Sequence, residues 1–152
     1  MSMAIGDLAK TVRSASRKGL FKRRPVFKAH AAVSLNDLER LERKVGMPVP
    51  ASLRAWLHEV GYGDIDEVLS FRAEWFAPIE TGQLLGGATF AQDILGNFYA
   101  IDSLGSIYFL SRSEPVFAGM SASFVEFLGE LVRRDYKLGA WVDALVMQRY
   151  EW

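Results

Sequence analysis

Hydrophobic and polar positions follow a strand pattern in the centre of the chain, at residues 89–110. Residues 98–101 and 106–110 are rich in β-branched and aromatic residues, which favour strands. Gly96 and Gly105 fall between the apolar segments, and glycine suits tight turns because it readily adopts positive φ. The pattern predicts three short strands joined by two turns, which is a β-meander.

The last two of these strands carry aromatic residues that define a predicted register. If residues 102–105 form an even-length turn, Tyr99 faces Tyr108 across the hairpin. Phe98 and Phe109 then face each other on the opposite side of the sheet. A sheet with apolar residues on both faces must be covered by helices on at least one of them.

Helical periodicity is found on both sides of the meander. The spacing of apolar residues predicts a basic amphipathic helix near residues 5–18 and further helices over 34–46, 50–61, 123–132 and 138–150. Ser34 with Asp37, and Ser123 with Glu126, have the spacing of a capping box, which marks a helix start. The chain is therefore predicted to be an α+β protein, with a mixed or antiparallel β-sheet and N-terminal and C-terminal helices packed around it. Trp56, Leu57, Phe124, Phe127 and Leu128 are predicted to be core residues.

Length and composition fit one globular domain. A chain of 152 residues can bury about 68 to 70% of its unfolded surface. The absence of cysteine excludes disulfides and thiol chemistry and is typical of a reducing compartment. No apolar run approaches the roughly 18 residues that span a bilayer, and the N-terminus lacks a secretory-leader pattern. We expect a cytoplasmic protein without a membrane span.

The zero net charge of the chain conceals an asymmetry. Residues 1–30 hold eight Lys or Arg against one Asp, whereas residues 31–152 hold ten against seventeen Asp or Glu. The chain is accordingly divided into a basic N-terminal helix or arm, residues 1–33, and an α+β domain, residues 34–152. A helix with a solvated basic side explains the first segment, and a nucleic-acid or anionic-membrane patch is the alternative. We predict that removing residues 1–24 leaves the remainder folded; the alternative is that Ile5, Leu8 and Val12 bury an apolar stripe against the domain, in which case the truncated chain would be insoluble or molten.

Residues 57–130 are the most acidic part of the chain, with eleven carboxylates and only two arginines. An acidic surface attracts basic proteins and repels nucleic acid, so nucleic-acid binding is not expected outside the basic N-terminus. An acidic loop and the segment after it supply the candidate partner-binding residues, which are Asp64, Asp66, Glu67 and Glu74. The loop lacks the other ligands of a calcium site, and neither a metal nor a cofactor is expected.

The sequence offers no recognisable catalytic motif. GxSxG, HExxH, the P-loop and GxGxxG are all absent, and neither of the two histidines, His30 and His58, has a partner that spacing identifies. Asp93 and Asp102 could act as paired carboxylates. Both, however, lie beside turn glycines, where Asp commonly caps the turn through the backbone. No catalytic residue is therefore predicted.

Three motifs, taken in order, resemble the SUKH superfamily, which includes the yeast Knr-type cell-wall regulators and many bacterial immunity proteins. The resemblance covers about residues 34–134. The motifs are Pro50-x-x-Leu53-x-x-Trp56-Leu57-x-x-x-Gly61, Asp93-x-x-Gly96-Asn97-x-Tyr99-x-Ile101-Asp102-x-x-Gly105-x-Ile107-Tyr108 and Ser123-Phe124-x-x-Phe127-Leu128.

This resemblance implies an α+β domain without catalytic residues. Bacterial members often neutralise polymorphic toxins, many of them nucleases, by binding them. The leading expectation is thus a non-enzymatic protein-binding domain, an immunity protein whose partner is a basic toxin domain. A regulatory or scaffold protein, as in the fungal relatives, is the alternative. An unrecognised carboxylate enzyme or small-ligand binder is a more distant one.

Overall fold

Among the residues that the structure describes, the five predicted helices and the three strands of the predicted meander are all present, with eight further strands; the first helix ends at Ser14, and residues 16–18 form a strand instead of continuing it. The computed structural model describes residues 4–152. Within that range the helices are α1 (Ile5–Ser14), α2 (Leu35–Val45), α3 (Ala51–Val60), α4 (Phe124–Arg133) and α5 (Leu138–Asp143). The strands are β1 (Ser16–Lys18), β2 (Arg23–Pro25), β3 (Phe27–Ala31), β4 (Tyr62–Ile65), β5 (Leu69–Phe71), β6 (Ala77–Pro78), β7 (Ala88–Asp93), β8 (Phe98–Ile101), β9 (Ile107–Leu110), β10 (Val116–Ser121) and β11 (Gln148–Arg149).

Nine of these strands form one antiparallel sheet. Its order is β11-β10-β9-β8-β7-β5-β4-β3, and β6 also pairs with β7. Strands β1 and β2 form a separate two-stranded ribbon. The predicted α+β class is confirmed, and the sheet is antiparallel rather than mixed. The predicted meander corresponds to β7, β8 and β9 at the centre of the sheet.

The register of the β8–β9 hairpin differs by one residue from the prediction. Tyr99 pairs with Phe109, and not with Tyr108. The loop contains three residues instead of four, because the N–H of Asp102 still pairs across the hairpin and Gly105 adopts φ 91°. Three-residue hairpin loops of this kind end in a left-handed residue that forms a bulge. The shift places Tyr99 and Phe109 together on the buried face that the helices cover.

All five helices pack on one face of the sheet. The main core lies between the helices and the sheet. It contains a cluster of aromatic side chains in edge-to-face and stacked contacts. The predicted core residues are all buried there, which confirms that part of the prediction: Trp56, Leu57, Phe124, Phe127 and Leu128. The apolar stripes of the helices therefore cover the apolar face of the meander.

The helix starts are fixed by the predicted capping residues. The Oγ of Ser34 accepts the Asp37 N–H at 3.1 Å, and Asp37 Oδ2 accepts the Ser34 N–H at 2.9 Å. The hydrogen bond from the Ser34 backbone lowers the pKa of Asp37. Ser123 likewise accepts the Glu126 N–H at 3.1 Å, although the Glu126 carboxylate reaches Ala122 instead of completing the box. Both caps satisfy N–H groups that a helix leaves free at its start.

The opposite face of the sheet has a smaller core, which the C-terminus completes. Tyr150 is buried there against Phe117, at 5.4 Å between ring centroids, and its hydroxyl donates to the Thr81 carbonyl at 2.6 Å. Gly82 is required beside it because a Cβ would lie 2.4 Å from the Tyr150 ring. The predicted helix over 138–150 is therefore wrong beyond Asp143. The chain leaves the helix to place Tyr150 on this face.

The N-terminal segment shares the main core instead of standing apart from it. Leu8, Ala9 and Val12 of α1 are buried, and α1 packs against α3 and α4. Strand β3 then pairs with β4 at the edge of the sheet. The division between residues 1–33 and 34–152 thus does not correspond to a break in the packing. The packing is also at odds with the expectation that residues 1–24 are dispensable. Residues 1–3 of that segment lie outside the described range.

Truncation of Phe127 tests the packing of α4. Phe127 is fully buried between Tyr99 and Trp141, so Phe127→Ala leaves a cavity in the main core. We expect the free energy of unfolding to fall by about 3 to 5 kcal/mol. Urea unfolding measures it, with Leu85→Ala at an exposed position as the control. An unchanged urea midpoint for Phe127→Ala would contradict the packing described here.

Candidate functional site

The four acidic candidates lie along one segment, from β4 to the short 3₁₀ helix Ala73–Trp75. Asp64 belongs to β4, and Glu74 belongs to the 3₁₀ helix. Asp66 and Glu67 form the turn between β4 and β5, with φ of 47° and 59°. These are left-handed conformations that favour glycine or asparagine, so the turn is strained where it carries Asp and Glu.

The Asp66 carboxylate is held by the basic N-terminal segment. Arg17 binds both of its oxygens, at 3.2 Å from Nε and 2.8 Å from Nη2. The same guanidinium binds the Asp135 carboxylate at 3.0 Å and donates to the Asp135 carbonyl at 2.7 Å. The hydrogen bonds that Arg17 donates to Asp66, and then those to Asp135, raise the pKa of Arg17 further above its ordinary value. Arg17 thus joins two carboxylates in a planar, bidentate geometry that lysine cannot reproduce.

Arg24 extends the network from the paired strand β2. It lies 3.4 Å from Asp66 and 2.9 Å from Glu67. Because Arg17 and Arg24 are register partners in the β1–β2 ribbon, the ribbon presents both to the acidic turn. We call Arg17, Arg24, Asp66, Glu67 and Asp135 the charge network. Its existence means that the basic and acidic parts of the chain partly neutralise each other.

The acidic turn is therefore not a uniformly open surface. The side chain of Asp66 is 11% exposed and that of Asp64 is 19% exposed, whereas that of Glu67 is 70% exposed. Glu74 is also exposed. Of the four residues, only Glu67 and Glu74 offer a carboxylate to a partner without a rearrangement. Charge reversal at Asp66 would break the charge network, so it cannot serve as a clean test of binding.

A second left-handed turn meets the first one at Arg17. Asp135 and Tyr136, which follow α4, have φ of 56° and 64°. The guanidinium of Arg17 lies 5.7 Å from the centroid of the Tyr136 ring, in cation–π geometry. Each left-handed non-glycine residue costs roughly 1 kcal/mol or more. The contacts to Arg17 offset part of that strain and fix the two turns relative to each other.

Ser70, Asp64 and His30 come together, but in an order unlike a catalytic triad. The Ser70 hydroxyl donates to Asp64, and His30 Nε2 lies 3.0 Å from the other Asp64 oxygen. In a nucleophilic relay the histidine stands between the serine and the carboxylate, so that it can take the serine proton. Here the carboxylate stands in the middle. The other histidine, His58, contacts the Val33 carbonyl through Nδ1 at 3.2 Å. This contact involves no serine.

Asp93 and Asp102 cap their turns, as the sequence predicts. Asp93 Oδ1 accepts the N–H groups two and four residues on, and Oδ2 accepts the Tyr99 hydroxyl at 2.9 Å. Asp102 makes the same three contacts, with Tyr108 as the hydroxyl donor at 3.0 Å. Burial, with a contribution from Asp93, raises the pKa of Tyr99. Both carboxylates are thus committed to structure.

The two turns form a nine-residue repeat with the pattern Asp-x-Leu-Gly-x-x-Tyr, starting at 93 and 102. Each copy begins with the capping Asp and ends with the tyrosine that hydrogen-bonds to it. The alternation of apolar residues does not reveal this repeat. The identical spacing of Asp, Gly and Tyr does, and it could have indicated the tyrosine contacts from the sequence alone.

An open groove of about 390 Å³ lies between α2 and the end of the sheet. Its lining includes Tyr62, Lys44 and Asp37, and Glu74 follows directly after the lining residue Ala73. Asp37 is the only carboxylate among the lining residues, and it is committed to the capping box. The groove therefore lacks the converging carboxylates that a small carboxylate enzyme would need. Within residues 4–152 no cluster of three His, Asp or Glu side chains could hold a metal ion.

Comparison with known proteins gives no relative. No family model matches the chain, and neither a curated protein nor a solved structure matches it. The resemblance to the SUKH superfamily therefore stays a prediction that rests on the residues quoted above. In the part of the chain that the structure describes, no helix is long and apolar enough to cross a bilayer.

The two capped turns provide a matched pair of substitutions. Asp93→Ala leaves the hydroxyl of the fully buried Tyr99 without its acceptor, whereas Tyr108, the partner of Asp102, is only partly buried. We expect a cost of about 2 to 4 kcal/mol for Asp93→Ala and about 1 to 2 kcal/mol for Asp102→Ala. Thermal or urea unfolding measures both. Equal losses would show that the deeper burial of the Tyr99 hydroxyl adds nothing to the cost of losing its acceptor.

Proposed function

We propose that the chain is a non-enzymatic protein-binding domain, and that it acts in the bacterial cytoplasm as an immunity protein. Its partner is a basic toxin domain, a nuclease being one candidate, which it neutralises by contact. The order of the serine, carboxylate and histidine contacts supports a binding role over catalysis. The SUKH-like motifs support a toxin as the partner.

The observation that carries this proposal is the position of Glu67. Its backbone is left-handed, at φ 59°, where glycine or asparagine would relieve strain. Its side chain is mostly exposed and has a single ion-pair partner, Arg24, at 2.9 Å. A strained residue with an exposed functional group is more readily explained by binding than by stability.

The other acidic candidates take different roles in this proposal. Glu74 is exposed and adds a second carboxylate that can attract a basic surface. Asp66 acts indirectly, because its contacts with Arg17 hold the turn in place. Asp64 is tied to Ser70 and His30. Glu67 and Glu74 are thus the proposed contact residues, and Asp64 and Asp66 position the segment that carries them.

Substitution of Glu67 separates binding from stability. Glu67→Asn removes the charge and suits the left-handed turn, so we expect the free energy of unfolding to rise by about 0.5 to 1 kcal/mol. The same change should slow association with a basic toxin domain encoded by a neighbouring gene by about threefold at low salt. Glu67→Gln should slow association without the gain in stability. Stopped-flow association and thermal unfolding measure the two effects.

Glu80→Gln is the matched control, because Glu80 is exposed on the loop that helps cover the smaller core. This substitution should change neither the association rate nor the free energy of unfolding. An unchanged association rate for both Glu67 variants would place the turn outside the interface. If the wild-type protein does not bind that toxin domain, the immunity proposal fails, and capture of a regulatory protein instead would favour the scaffold alternative.

A further inference from the structure

The β1–β2 ribbon carries two large apolar side chains at its tip. Leu20 is 90% exposed and Phe21 is 94% exposed, more than any other large hydrophobic residue in the range 4–152. They occupy the centre of the four-residue loop that joins the two strands. Single exposed hydrophobic residues are common on protein surfaces, but two adjacent ones at a hairpin tip form a small projecting apolar patch.

Contacts within the ribbon hold this tip in a defined shape. Gly19 is required in the loop because a Cβ at this position would lie 2.2 Å from the Lys22 carbonyl oxygen. Across the strands, Arg23 Nε donates to Ser16 Oγ at 2.7 Å. At the base, the Val26 N–H donates to the Ala15 carbonyl at 3.0 Å. The charge network also anchors the base, so the tip is held away from the core.

The cations of the ribbon fall into two groups. Arg17 and Arg24, which are cross-strand partners, are engaged by carboxylates of the charge network. Lys18, Lys22 and Arg23 lie nearer to the tip, and none of them forms an ion pair with another residue of the described chain. The apolar patch is therefore flanked in the sequence by three cations that form no ion pair within the described chain.

We infer that the tip of the β1–β2 ribbon is a peripheral anchor for an anionic phospholipid surface. Leu20 and Phe21 enter the boundary between headgroups and acyl chains, and Lys18, Lys22 and Arg23 contact the anionic headgroups. A stable interfacial attachment combines an apolar insertion with basic residues, and the tip supplies both within six consecutive residues, 18–23. Because the insertion is small, the attachment is reversible.

Charge and shape favour a lipid surface over nucleic acid. Proteins that bind DNA through its backbone neutralise about six to ten phosphates, and the tip offers three cations. The acidic part of the chain would repel a long polyanion lying along it, whereas a membrane need touch only the tip. Leu20 and Phe21 also gain more from a hydrocarbon environment than from phosphates.

Vesicle co-sedimentation of the full chain tests the inference. We expect binding to phosphatidylcholine vesicles with about 30% phosphatidylserine and at least about 25-fold weaker binding to pure phosphatidylcholine. Leu20→Ser with Phe21→Ser should weaken binding by about tenfold or more, and Lys18→Ser with Lys22→Ser by about 25-fold. Leu104→Ser is the matched control, since Leu104 is 87% exposed at the β8–β9 turn. Unchanged melting temperatures would show that the variants fold.

A site-specific probe gives a second measurement that does not depend on affinity. The chain has no cysteine, so Phe21→Cys can carry a single environment-sensitive dye. Its emission should shift to the blue with anionic vesicles, and the same dye on Leu104→Cys should not shift.

Two outcomes would overturn the inference. The first is no binding to anionic vesicles, or binding that Leu104→Ser weakens as much as the double substitution at the tip. The second is tight binding to a short DNA duplex that depends on Leu20 and Phe21, without binding to vesicles. That result would assign the tip to nucleic acid.

Discussion

The guanidinium of Arg17 connects three segments that are far apart in the chain. It binds Asp66 in the β4–β5 turn and Asp135 after α4, at sequence separations of 49 and 118 residues. Both of these turns are left-handed and strained, and neither carries glycine. The ion pairs therefore hold the base of the β1–β2 ribbon, the acidic turn and the end of α4 together as one unit. The positions of Glu67 and of the ribbon tip both depend on this unit.

This arrangement assigns different roles to charges that look equivalent in the sequence. Asp66 is largely buried and satisfied internally, so it contributes to position and not to recognition. Glu67, the next residue, pairs with Arg24, but its side chain is 70% exposed. On the opposite side of the network, the ribbon holds Leu20 and Phe21 away from the protein. The proposed protein contact and the proposed lipid contact thus extend from the same internal anchor.

The sequence predicts features that depend on neighbouring residues and misses those that depend on distant ones. The Ser34 capping box, the Ser123 cap and the Asp turns are local and were predicted correctly, although Glu126 does not complete the second box. The predicted β8–β9 register was wrong because the loop, which ends in a bulge at Gly105, is one residue shorter than expected. Charge counts identified an acidic block, but a count does not reveal that Arg17 lies against Asp66. The last helix was overextended because the burial of Tyr150 on the far face leaves no periodic signal.

A double-mutant cycle between Arg17 and Asp66 tests the internal anchor most directly. Arg17→Ala and Asp66→Asn, alone and together, give the coupling energy from urea unfolding, and asparagine keeps the left-handed turn favourable. Arg13 with Glu59, an exposed pair 3.8 Å apart, is the control cycle. The network predicts a coupling of about 1 to 3 kcal/mol for Arg17 with Asp66 and under about 0.5 kcal/mol for the control. A coupling for Arg17 and Asp66 as small as that of the control would contradict the account.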